Sequence, residues 1–137
     1  MVRRGTSIGF FGRFGRSENL RRLDAALREA GLHPLQIPEG VKLAAVSVIG
    51  GERTEEPSPT AYPPAGELMA LCVLGADQFA RENTQGRLSA ATQRLEAALE
   101  QGESEDAKLI LLMLHAGLIH PELVSRYDIR AETDDPD

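Results

Sequence analysis

Tryptophan is absent from this chain, aromatic residues make up only 4% of it, and it has a single cysteine. The shortage of rings leaves Leu, Val, Ile and Ala to build the core. Ala and Leu recurring at helical spacing favour helices over a β-sandwich. One thiol, Cys72, excludes an intrachain disulfide and accords with a reducing compartment. No apolar run approaches the roughly 18 residues of a membrane span. Met1 to Arg4 has the charge of a signal-peptide start, but the apolar run after it, Ile8 to Phe11, falls far short of a signal core of roughly 7–15 residues. A cytoplasmic protein is expected. Lysine is scarce as well: thirteen of the fifteen basic residues are arginine, a bias expected of a GC-rich bacterial genome.

Several chemical signatures are missing. There is no G-x-x-x-x-G-K-[ST] phosphate loop, and the glycines at 5, 9, 12 and 15 follow no strand. No G-x-S-x-G nucleophile turn and no D-x-[DN]-x-[DN]-G calcium loop occur. No cofactor is expected.

What is present is one ordinary domain's length, 137 residues, of which 42% are hydrophobic. That share suits a packed core. The net charge of −6 is unevenly spread: residues 1–33 carry seven Arg against three acids, and the remainder is strongly acidic. Most of the molecule therefore repels a polyanion, and any contact with nucleic acid or anionic lipid is confined to the N-terminal end.

The periodicity predicts an all-α, single-domain bundle of five to six helices over residues 17–130, preceded by a basic Phe/Gly/Arg arm (1–16) and followed by a disordered acidic tail (131–137). Ser17 offers a cap to a first helix whose stripe is Leu20, Leu23, Leu27 and Ala30, stopped by Gly31 and Pro34. Pro38 and Glu39 suit the start of a second helix, with Val41, Ala44, Ala45, Val48 and Ile49 as its stripe. The β-branched residues there also permit a strand over 41–49, which would make the fold α+β. Residues 50–64, with prolines at 57, 59, 63 and 64, read as a long irregular loop. Helices follow over 65–81, 87–100, from a Ser104 cap to Gly117, and from Pro121. The segment Leu109 to Leu118 is apolar nearly all round, which suits the bundle centre or a subunit interface. "AGLHPL" at Ala30 resembles "AGLIHPEL" at Ala116, and "RLDAALREAG" at Arg22 resembles "RLEAALEQG" at Arg94. The two offsets differ, so these are repeated uses of helix and cap chemistry rather than a duplication.

Chemistry-bearing residues are few. His33, His115 and His120, with Cys72, are weak candidate metal ligands, since their spacing matches no zinc pattern. His33 and His120 each precede a proline, which marks a junction between helices. Cys72 lies in the apolar stretch "LMALCVLGA" and reads as a small core hydrophobe. The acids Glu52, Glu55 and Glu56, and Glu100, Glu103, Glu105 and Asp106, are explained by solvation and helix dipoles.

The conspicuous feature is "IGFFGRFGRSEN", which holds three of the four phenylalanines. Phe10, Phe11 and Phe14, with Arg13 and Arg16, are the candidate partner-binding residues, aimed at a protein partner or a second copy of this chain. The same residues could instead cover the bundle's own open end, or give weak lipid or nucleic-acid contact. The functional expectation is a small non-catalytic helical interaction module. The alternative is a histidine-based metal protein or enzyme.

Overall fold

The computed structural model of the protein describes residues 18–50 and 59–130. Over these residues the chain is all-α, with six helices and no strand. They are α1 (18–29), α2 (Glu39–Gly50), α3 (Tyr62–Glu82), α4 (Gln85–Glu100), α5 (Glu105–His115) and α6 (Pro121–Tyr127). The arm (1–16), the Ser17 cap, residues 51–58 of the expected loop and the acidic tail lie outside the described residues. No described helix is long and apolar enough to cross a membrane.

α1 buries the stripe its spacing predicts: Leu23, Leu27 and Ala30 are fully covered, with Ala26 beside them. Its end is closed by two backbone bonds, Leu32 N–H to the Leu27 carbonyl (2.9 Å) and Gly31 N–H to that of Arg28 (2.9 Å). Gly31 makes this possible with a φ of 90°, a conformation costly for any residue with a Cβ. α5 ends the same way: Leu118 bonds to Met113 and Gly117 to Leu114, both at 3.0 Å. Each stop leads to a His-Pro pair. His33 Nδ1 accepts the Leu35 N–H (3.1 Å) over a 3₁₀ turn, and His120 Nδ1 accepts the Glu122 N–H (3.0 Å) to open α6. The likeness of "AGLHPL" to "AGLIHPEL" is thus one stop-and-start device used twice.

Residues 41–49 are helical, which removes the α+β alternative. Lys42, Ala45 and Ile49 share the inward face of α2. The Lys42 ammonium lies 2.9 Å from the Asp24 carboxylate of α1, so this face is pinned as well as packed. Burial of one helical face outweighs the weak preference of Val and Ile for strands.

The expected loop is shorter than 50–64. Gly50 closes α2, Pro59–Ala61 form a 3₁₀ turn, and α3 begins at Tyr62. Pro63 and Pro64 are first-turn residues, where a missing N–H costs nothing. Likewise α4 starts at Gln85, two residues before the expected 87, capped by Thr84, whose hydroxyl accepts the Arg87 N–H (3.1 Å). Ser104 caps α5 as expected, accepting the Ala107 N–H at 3.0 Å.

α3 forms the axis of the core, burying Leu68, Met69, Ala70, Leu71, Cys72 and Phe79. α5 packs against α2, α3 and α4 and buries Leu109, Ile110 and Met113, yet Leu111 stays 43% exposed. The centre expected over Leu109 to Leu118 is therefore shared with α3. α3 also breaks at Gly75, where φ is 82° and ψ 167°. The carbonyl of Cys72, freed by the break, accepts the His120 N–H at 2.7 Å. The His120 ring lies against Gly75, about 3.0 Å from where a Cβ would stand.

Candidate functional site

α1 and α3 meet at two small residues. A Cβ added at Gly66 would lie 2.6 Å from the Ala26 Cβ and 2.9 Å from its carbonyl carbon. Beside this close crossing a cleft of about 370 Å³ opens to solvent. Such a volume falls in the range of about 300–1,000 Å³ typical of small-ligand sites. One wall is α1, which presents Arg22, Ala25, Ala26 and Glu29 at helical spacing. The opposite wall is the first turn and a half of α3, through Tyr62, Pro63 and Glu67, with Pro59 from the turn before it. Arg87 of α4 closes one end.

The floor is apolar and flat-sided: two alanines, two prolines and the tyrosine ring. The rim is charged. Arg87 Nε lies 3.2 Å from Glu67 Oε2, and Arg22 Nε lies 3.5 Å from Glu18 Oε2. The Glu29 carboxylate makes no ion pair with a described residue.

Arg87 also fixes the groove's geometry. Its Nη1 donates to the Glu29 carbonyl (2.8 Å) and to the Asn83 side-chain oxygen (3.0 Å). Asn83 Nδ2 in turn donates to the carbonyls of Ala30 (2.8 Å) and Phe79 (3.1 Å). The last carbonyls of α1, left without helical partners, are thus held by the α3–α4 junction. The two walls of the groove are tied by hydrogen bonds at one end and by the Ala26–Gly66 contact along their length.

The three histidines are occupied elsewhere. His33 and His120 cap helical turns, and His115 ends α5 in an exposed position. Among the described residues no group of three or more His, Cys, Asp or Glu side chains could hold a metal ion. Cys72 is fully buried, and burial pushes its thiol up to about 12, so it stays protonated at neutral pH. A thiol in that state is a poor nucleophile.

Phe10, Phe11, Arg13, Phe14 and Arg16 lie outside the described residues. Sequence reasoning missed the groove residues Arg22, Ala25, Tyr62, Pro63, Glu67 and Arg87. Two signals pointed that way: the small pair Ala26 and Gly66, and prolines that start a helix rather than interrupt one. The chain matches no protein-family model, no curated protein and no solved structure.

Proposed function

We propose that this protein is a small, non-catalytic, cytoplasmic interaction module, and that the groove between α1 and α3 is its binding surface. Its ligand is a short segment of protein chain carrying apolar side chains. The observation that carries this reading is the groove itself, an open apolar floor between two rigidly tied helices with a charged rim. The floor of Ala, Pro and Tyr gives area for flat or branched side chains, and the rim supplies orientation by hydrogen bonding. Rigid walls keep the cost of ordering the site low.

The test is selection of phage-displayed heptapeptides on the full-length chain carrying Phe10→Ser, Phe11→Ser and Phe14→Ser, so that its own aromatic segment does not compete. The same selection is run after adding Ala25→Glu and Pro63→Glu. Both positions are exposed, so the core is spared. The reading expects peptides with aromatic or branched apolar residues, bound at least tenfold more weakly once the groove carries the two glutamates. Equal binding to both proteins, or no enrichment, overturns it.

A further inference from the structure

The groove and the aromatic arm are neighbours along the chain. α1 is described from Glu18, and its groove-facing residues run from Arg22 to Glu29. At 1.5 Å per helical residue these lie about 6 Å and 16 Å along the axis from Glu18. Phe14 is four residues before Glu18 and Phe10 eight, so an extended chain carries them up to about 14 Å and 27 Å. An arm folded back along α1 therefore reaches the whole groove, and Gly12 and Gly15 allow the reversal.

Charge and shape agree with this path. Residues 1–16 hold four arginines and no acid, while the rest of the chain carries a net −10. The rim offers Glu29, whose carboxylate makes no ion pair with a described residue. Three of the chain's four phenylalanines lie in the arm, and the groove presents proline and tyrosine faces suited to rings.

We propose that the groove's first occupant is the chain's own segment Ile8–Phe14, docked in cis, with its phenylalanines on the apolar floor and Arg13 facing Glu29. This rests on the reading of the groove as a site for apolar chain segments, and it names the regulation of that site. A short tether sets a local concentration of about 1 mM, so at micromolar protein the cis segment outcompetes a second copy. A partner must displace it, and the arm then sets the threshold of affinity.

The experiment uses the full chain with paired cysteines, Gly12→Cys with Ala25→Cys in the groove, or Gly12→Cys with Lys108→Cys on the exposed side of α5. The buried Cys72 takes no part. Each protein is oxidised with dipyridyl disulfide at low micromolar concentration, after circular dichroism has shown that it folds. The proposal expects an intrachain disulfide that forms at least tenfold faster in the groove pair. Adding Phe10→Ser, Phe11→Ser and Phe14→Ser slows the groove pair to the rate of the other. Equal rates in the two pairs, or disulfide-linked dimers as the main product, overturn it. If the cross-link fails while the phenylalanine-free chain still selects apolar peptides, the groove remains a binding surface and only the cis occupant is lost.

Discussion

Replacing Gly66 by alanine sets two opposite effects against each other. In a helix interior alanine is favoured over glycine by about 1 kcal/mol. The new Cβ, however, would stand 2.6 Å from the Ala26 Cβ and 2.9 Å from the Ala26 carbonyl carbon. Carbon atoms pack best about 3.5–4.0 Å apart, so α1 and α3 must separate by roughly 1 Å. One obstacle is backbone and cannot swing aside. Both helices are tied at their far end by Arg87 and Asn83, so a rigid shift strains those bonds. Overpacking of this kind costs about 1–3 kcal/mol. The steric cost wins, and Gly66→Ala is expected to destabilise the protein by about 1–2 kcal/mol. For a chain of this size that lowers the melting temperature by about 3–5 °C per kcal/mol. Gly86→Ala in α4 is the control, because nothing lies within 4 Å of its added Cβ. There the helix preference acts alone and stabilises by about 0.5 kcal/mol. Urea denaturation followed by circular dichroism at 222 nm measures both. If Gly66→Ala stabilises as much as Gly86→Ala, α1 and α3 do not cross at these residues, and the groove beside the crossing loses its basis.

Three further outcomes are expected. The Lys42 side chain is 8% exposed and that of Asp24 26%, so the partner left behind decides the damage. Asp24→Asn, which strands a buried ammonium, should cost about 3 kcal/mol by urea denaturation, and Lys42→Met about 1 kcal/mol; the reverse order would refute the burial argument. Cys72 should resist Ellman's reagent in the native protein and react fully in 6 M guanidinium. Because its folded pKa stands above the usual thiol value of 9.0, at about 12, the stability it contributes is intact below pH 9. That stability falls between pH 9 and 12 by about 1.4 kcal/mol per pH unit, since only the unfolded thiol ionises there. A flat urea midpoint over that range, compared with Cys72→Ala, would contradict it. His33→Ala should cost about 1 kcal/mol through the lost cap, and His33→Asn should restore most of it. A thermal melt that ranks Asn no better than Ala would remove the capping role.

The helical plan was legible because its signals are local. Leu23, Leu27 and Ala30 repeat at one face, and Ser104, Gly31 and Gly117 act within their own turn. The similarity of the two Ala-Gly-Leu segments was readable for the same reason. The strand alternative at 41–49 arose because Val41, Val48 and Ile49 are locally indifferent. What decides that segment is non-local, the Asp24–Lys42 pair and the face shared by Ala45 and Ile49. The prolines at 63 and 64 read as breakers, since only the chain's direction of entry tells a helix start from a helix stop. The break at Gly75 was hidden because an isolated glycine is tolerated in a helical pattern, and its partner, His120, is 45 residues away in sequence. The groove depends on Ala26, Gly66 and Arg87 meeting from three helices, and no window of sequence contains that.

The most direct test of the groove is an amide NMR titration. The ¹⁵N-labelled full chain carrying Phe10→Ser, Phe11→Ser and Phe14→Ser is titrated with the heptapeptide GFFGRFG. The account predicts saturable shifts at Arg22, Ala25, Glu29, Tyr62, Glu67 and Arg87, abolished by Ala25→Glu and Pro63→Glu. Shifts centred on the outer faces of α2 and α5, or none at millimolar peptide, would contradict it.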